Sequence, residues 1–182
     1  MSHVRGSSKR QAIEHFIPDG PDRPRRAGLV YALFRKLLAE RYRTDGIEPM
    51  AGAERIFQWL KEQGVCVALN TGFDRDITEL LLSALGWGRE MVDAVVCGDE
   101  VRQGRPAPYL IFHAMEATGI TSVREVANVG DTRLDLQAAY NARVRWNIGV
   151  LSGAHDRQQL ERAPHTHLLE SVADLQSLWP II

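Results

Sequence analysis

Short apolar runs recur along residues 47–182, and a helical pattern stands between each pair of them. Val65-Cys-Val-Ala-Leu69, Ala94-Val-Val-Cys97 and Val126-Ala-Asn-Val129 are short runs without alternation, the pattern of strands covered on both faces, and Val144–Val150 is a fourth strand. Helical periodicity spans Ala51–Gln63, Asp74–Leu85, Pro106–Thr118 and Leu134–Asn141, with proline in the first turn of the third. Strands separated by helices of roughly 10–15 residues specify βαβ units, hence an α/β fold with a parallel sheet. A weaker strand, His167-Leu-Leu169, lies between a short helix at Asp156–Arg162 and a terminal one at Ser171–Leu178.

Residues 1–46 have a different texture, helical and without strand. Ser8–Phe16 predicts a short helix stopped by Pro18-Asp-Gly-Pro21, and the polar, proline-bearing stretch through Arg26 predicts loop. From Ala27 to Arg43, Leu29, Val30, Leu33, Phe34, Leu37, Leu38 and Tyr42 recur at the spacing of an amphipathic helix. Such an apolar face is more often core than a dimer surface, so burial is expected.

Composition acts by exclusion. A net charge of −1 gives no support for a general nucleic-acid or membrane-surface role. No apolar run approaches the ~20 residues that span a bilayer, and the N-terminus lacks the apolar stretch of a secretory signal. Cys66 and Cys97 both lie in apolar runs, which predicts buried, reduced thiols in a cytoplasmic protein. Charge is uneven, however: residues 1–44 hold 10 Lys/Arg against 4 Asp/Glu, and the remaining 138 hold 12 against 19. A basic segment over an acidic body can attract an anionic substrate, or is simply a solvated helical face.

Ligands of doubly wound sheets bind outside the C-terminal ends of the strands. Thr71-Gly72 follows the first run, where a hydroxyl and unhindered backbone N–H groups make an anion site or a plain cap. Arg105 leads into Pro106-Ala-Pro108 after the second, and its guanidinium is either a counter-charge to phosphate or a surface residue. Asp131 follows the third run, with Asp135 one helical turn on, so that both carboxylates can face one point. Hard oxygen ligands so placed suit Mg²⁺, the alternative being a helix cap and a solvated side chain. There is no Gly-x-x-x-x-Gly-Lys-Ser/Thr, Gly-x-Gly-x-x-Gly or Gly-x-Ser-x-Gly motif. His165-Thr-His167 lacks a third ligand at zinc spacing.

In this order, Val67-Ala-Leu-Asn-Thr71-Gly-Phe-Asp-Arg75, Gly104-Arg-Pro-Ala-Pro-Tyr-Leu-Ile111, Val129-Gly-Asp-Thr-Arg-Leu-Asp-Leu136 and Gly149-Val-Leu-Ser-Gly-Ala-His-Asp156 resemble the haloacid dehalogenase (HAD) superfamily. The nearest likeness is to its phosphonatase-like branch, related to phosphonoacetaldehyde hydrolase, and runs from about Arg5 to Leu178. The resemblance implies a HAD-like Rossmannoid core over 47–182 and a partial helical cap over 1–46. By position it implies that Thr71 and Gly72 bind phosphate, that Arg105 is the catalytic cation, and that Asp131 ligates Mg²⁺ with Asp135 in support. Lys9 stands where phosphonatases carry a Schiff-base lysine, and an amine of lowered pKa can form an imine with an aldehyde; an exposed lysine is the equal alternative. The branch's Met and His flanking that lysine are Arg5 and Ala12 here, so a phosphatase-like role on a small phosphorylated or phosphonate substrate fits better than phosphonoacetaldehyde itself.

The family's nucleophile is the first Asp of an Asp-x-Asp-Gly-Thr-like motif, on a strand that sits between those leading to Thr71 and Asp131. No such motif occurs in the 182 residues; Asp19-Gly-Pro-Asp22 follows a helix. The resemblance therefore implies a chain that starts with the cap, lacks the central strand, and is impaired in transfer through an aspartyl-phosphate. A non-catalytic protein binding a phospho-ligand or a protein partner is the alternative. Omitting one strand opens the sheet by about 4.8 Å. Unpaired backbone groups are costly, so closure, distortion or filling by another chain is expected.

Overall fold

The computed structural model describes residues 9–178. Two helices come first, α1 (Lys9–Phe16) and α2 (Arg23–Asp45), packed on each other as a hairpin. The α/β part follows in the order α3 (Ala53–Glu62), β1 (Ala68–Asn70), α4 (Arg75–Leu85), β2 (Ala94–Val96), α5 (Tyr109–Thr118), β3 (Ala127–Gly130), α6 (Arg133–Ala142), β4 (Trp146–Val150), α7 (Arg157–Leu160) and β5 (His167–Leu169). Ser8 and Arg5, read above as part of the first helix and of the family likeness, lie outside the described residues.

All strand pairing is parallel, but it forms two sheets. β1 pairs with β2, Leu69 opposite Val95; β3, β4 and β5 form the other, with Val129 opposite Ile148 and Gly149 opposite Leu168. No strand pairing joins β1 to β3 among the described residues. Of the outcomes expected for a missing strand, closure by pairing is therefore not the one adopted. The helix layer gives the reason. α5 lies on β1 and β2, α6 on β3 and β4, and the two helices pack side by side. Neighbouring helices sit about 8–10 Å apart, close to two strand spacings, so seating each on its own strand pair holds the halves apart.

Local signals set the helix ends. Asp74 caps α4 by accepting the Ile77 N–H, and Gly86 ends it in the left-handed conformation. Thr132 and Asp135 form a capping box that starts α6. α2 begins at Arg23, not after Arg26 as the proline suggested, because Pro24 falls in its first turn, where no N–H is needed. α5 conversely begins at Tyr109, with Pro108 as its cap. The last element is a 3₁₀ segment, Val172–Leu178, in place of an α-helix.

Two burial expectations are corrected. Leu29, Leu33 and Leu37 on α2 are exposed by 63%, 56% and 56%, and Ala27 is the buried residue of that helix. Periodicity identified an apolar face, but α2 meets α4 through Tyr31 and Arg35 instead. Cys97 is fully buried as expected, whereas Cys66 is exposed because β1 starts three residues later than the apolar run. No described helix is long and apolar enough to cross a membrane.

Candidate functional site

Three loops leave the C-terminal ends of β1, β2 and β3, and one side chain ties two of them together. Arg105, beyond β2, sends Nε to Asp135 Oδ1 at 2.9 Å and Nη2 to the Asn70 carbonyl at 2.8 Å, with a further hydrogen bond to the Asn70 side chain. It thereby spans from the last residue of β1 to the first turn of α6, across the break in strand pairing. Both side chains of the ion pair are only about a tenth exposed, at 10% and 11%. Planar guanidinium geometry suits such a bridge, since one fork can serve a carbonyl and a carboxylate together.

Asp135 has both oxygens engaged. Oδ1 faces Arg105, while Oδ2 accepts the Thr132 N–H at 2.9 Å and the Thr132 hydroxyl at 2.5 Å. Gly130 permits this approach: a Cβ there would stand 2.3 Å from the Asp135 Cβ. Asp131 is different. Its Oδ2 accepts the Ala154 N–H at 2.6 Å and its carbonyl accepts the His155 N–H at 3.2 Å, and Oδ1 has no hydrogen-bond partner among the described residues. Gly153 is required here, because a Cβ would fall 2.1 Å from Asp131 Oδ2. The buried His155 completes the clamp, with Nδ1 accepting the Arg133 N–H at 3.0 Å, which places its proton on Nε2.

On the β1 side, the Thr71 hydroxyl accepts the Phe73 N–H at 3.2 Å, leaving its own proton free to donate. The Gly72 carbonyl accepts the Lys9 N–H at 3.1 Å, which fixes the start of α1 on this loop. The Lys9 ammonium lies 5.3 Å from the centre of the Phe73 ring. Its pKa is lowered, first by burial and then by the positive charge of Arg105, while Asp131 and Asp135 pull it back up. Lys9, Arg105, Asp131 and Asp135 thus share one electrostatic neighbourhood, beside Thr71 and Gly72. A cleft of about 610 Å³ adjoins it between the hairpin and the loops, lined by Arg10, Tyr31, Arg35, Gly72, Asp74 and Gly98 among others. It reaches the rim at Gly72 but is not lined by Thr71, Arg105 or Asp131.

Asn70, Gly153, Ala154 and His155 carry no role that the sequence alone assigns. Their only signal was membership of the segments that carry the family likeness, since what they contact lies 22 or more residues away.

A donor set for a divalent cation is modest. No group of three or more His, Cys, Asp or Glu gathers in metal-binding geometry among the described residues. Mg²⁺, however, takes one or two carboxylates and keeps its waters or substrate oxygens, and the open Oδ1 of Asp131 fits that requirement.

Comparison with known proteins gives the family. The profile of the haloacid dehalogenase-like hydrolases matches residues 6–143. A phosphonoacetaldehyde hydrolase of Parabacteroides distasonis is 33% identical over 127 residues, which are 70% of this chain and 47% of that one. The corresponding protein of Lysinibacillus sphaericus is 31% identical over 157 residues, 86% of this chain and 55% of that one. The chain therefore spans about half the length of these relatives. A solved phosphonoacetaldehyde hydrolase-like protein from Oleispira antarctica superposes with a TM-score of 0.82 at 20% identity, over 97% of this chain and 76% of that one, which shows the shared fold. The match of that profile over most of the chain places it in the haloacid dehalogenase-like hydrolases.

Proposed function

We propose that the rim formed by Thr71, Gly72, Arg105 and Asp131 holds the phosphoryl or phosphonyl group of a small substrate, with Lys9 at its edge. The supporting observation is that Arg105 pairs with Asp135 across the ends of β1 and β3, and that the charges of Arg105, Asp131 and Asp135 all bear on Lys9. In this proposal the α1–α2 hairpin is the cap and residues 47–182 the core.

The Thr71 hydroxyl donates to one substrate oxygen, and the backbone at Gly72 lets the group approach without a side chain in the way. Arg105 offsets negative charge at the same point, and Asp135 fixes its guanidinium there. Asp131 is the residue that would hold Mg²⁺ through Oδ1, and the bound ion supplies further neutralisation of the substrate oxygens. Lys9, with its proton held less tightly than in water, is the amine available to a carbonyl-bearing substrate; condensation would expel one water and leave an imine.

Transfer through an aspartyl-phosphate needs a carboxylate in line with phosphorus, on an Asp-x-Asp-Gly-Thr-like strand, and these 182 residues carry none. We therefore propose that this chain binds the substrate class of its family with turnover impaired. The exposed Leu29, Leu33 and Leu37 stripe is the proposed contact with a second copy.

Joint titration of Mg²⁺ and inorganic phosphate, read by calorimetry beside hydrolysis of p-nitrophenyl phosphate and small phosphonates, tests this. Mg²⁺ should tighten phosphate binding, Asp131→Asn should abolish that tightening, and turnover should stay near background. Phosphate binding indifferent to Asp131→Asn would remove Asp131 from the role, and rapid turnover would show that another group attacks.

A further inference from the structure

At the opposite end of α6 from Asp135, three arginines line one shallow recess of about 490 Å³: Arg124, Arg143 and Arg145. A ten-residue helix is about 15 Å long, so this recess is separate from the rim described above. We propose that it binds a small polyanion bearing two or more phosphate groups.

The charge placement is unusual for this body. Residues 45–182 are net acidic, yet three of their twelve cations converge here. None of the three makes an ion pair among the described residues, although Glu125 stands next to Arg124 in the chain. Exposed guanidiniums gathered without a carboxylate repel one another, and an anion relieves that repulsion.

Two of the three are also held in place. Arg143 lies over the Tyr140 ring at 5.6 Å and Arg145 over the Trp146 ring at 5.1 Å, which restricts both side chains before any ligand arrives. The backbone beneath is stitched: the Arg145 N–H donates to the Val123 carbonyl at 3.1 Å, the Trp146 N–H to Val126 at 3.3 Å, and the Ser122 hydroxyl accepts the Arg124 N–H at 3.2 Å.

Arg143 adds an independent observation. It is the C-cap of α6, at φ 60° and ψ 31°, the one non-glycine residue with positive φ among the described residues. The equivalent positions of α4 and α5 are Gly86 and Gly119. A side chain in this conformation costs stability relative to glycine. Complementing the helix dipole explains a cation near this end, but it calls for neither the left-handed position nor a recess shared with Arg145 two residues on and Arg124 from another segment.

The test titrates the 182-residue chain with inorganic pyrophosphate in Mg²⁺-free buffer, followed by amide ¹H–¹⁵N shifts. Amides of residues 123–126 and 143–146 should move, and affinity should fall with added salt. Losing a charge-assisted pair is worth about tenfold or more in affinity, so Arg143→Gly should weaken binding by about that factor and Arg143→Gly with Arg145→Gln by about its square. Glycine suits the backbone at 143, so Arg143→Gly should melt no lower than the parent, which separates lost binding from lost fold. Arg124→Gln gives a second check if the double variant does not fold. Shifts confined to residues 70–72 and 131–135, or equal affinity across the variants, would overturn the proposal. So would displacement of pyrophosphate by single-stranded RNA or polyglutamate at lower concentration, since either makes the recess a macromolecular surface.

Discussion

The two strand groups are stabilised by different means. Around β3, β4 and β5 the buried apolar residues form contiguous clusters: Ile56, Ile148 and Leu175 on one face, Leu136, Leu160 and Ala163 on the other, and Ile111 with Ala138, Ala139 and Ala142 between α5 and α6. Around β1 and β2, Val67, Ile77, Val92, Val96 and Cys97 are buried, but the ties that stand out are polar. Asp93 joins the entry of β1 to that of β2, Arg75 reaches the Val95 carbonyl and Glu100, and Arg105 joins Asn70 to the far side of the break. Apolar clusters tolerate salt and pH, whereas charged ties respond to both, so the halves should differ in what loosens them.

The largest expected effect strikes the apolar half. Leu136 is fully buried against Leu160 and Ala163, and Leu136→Ala should destabilise by about 3–5 kcal/mol, as large-to-small changes in closed cores do. Denaturant melts would measure it. A loss below about 1 kcal/mol would mean that this cluster is not the anchor of the three-stranded half.

Next is the bridge. Arg105→Ala removes the ion-pair partner of the Asp135 carboxylate and should cost about 2–3 kcal/mol, below a fully buried pair because each side chain keeps some exposure and the Lys9 charge remains nearby. Amide exchange is the informative readout: β1 amides and the α6 N-terminus should lose protection together. Loss on one side only would show that Arg105 does not couple the halves.

These features were unequally legible in the sequence. Unalternating apolar runs located β2 and β3 to within a residue, because a strand inside a layered sheet leaves a local signature, and the weaker His167-Leu-Leu169 pattern matches β5. The capping pair Thr132 and Asp135 is equally local. What covers the apolar face of α2 is not a local property, and its leucines turned out exposed. The bridge is harder still. Asn70 and Arg105 are 35 residues apart and Arg105 pairs with a residue in another helix, so chain spacing could suggest a shared rim but not who holds whom. The missing motif pointed to the junction between β1 and β3, but closure by pairing, one of the outcomes expected there, is not what formed, because that depends on how α5 and α6 pack.

A smaller effect is expected from acid. Asp93 Oδ1 takes Lys61 Nζ at 2.7 Å and Oδ2 takes the Val67 N–H at 2.8 Å, and these bonds hold its pKa below the ordinary carboxylate value. A carboxyl with a depressed folded pKa adds stability that is complete above about pH 4–5 and is lost as pH falls through the folded value. Partial exposure limits the effect to about 1 kcal/mol. Exchange at β1 and β2 should therefore quicken below about pH 4 before β3–β5 responds, and Asp93→Asn should remove that difference. Equal acid response of both halves would contradict the contrast drawn between them.

The smallest change tests whether the hairpin belongs energetically to the polar half. Tyr31 on α2 donates its hydroxyl to Asp74 Oδ2 at 2.6 Å, and Arg35 Nε lies 3.1 Å from the same oxygen. Asp74 also caps α4, so one carboxylate fastens both α2 and the helix that follows β1. Burial and this hydrogen bond raise the Tyr31 pKa well above its usual value, so the phenol stays protonated and donating across the accessible pH range. Tyr31→Phe keeps the ring and deletes one hydrogen bond, which is worth about 0.5–1.5 kcal/mol. Arg35 still neutralises Asp74, so the lower end is expected, with quicker exchange in α2 and the first turn of α4 and none in β4. A loss spread evenly through β4 and β5 would instead make the hairpin part of the apolar core.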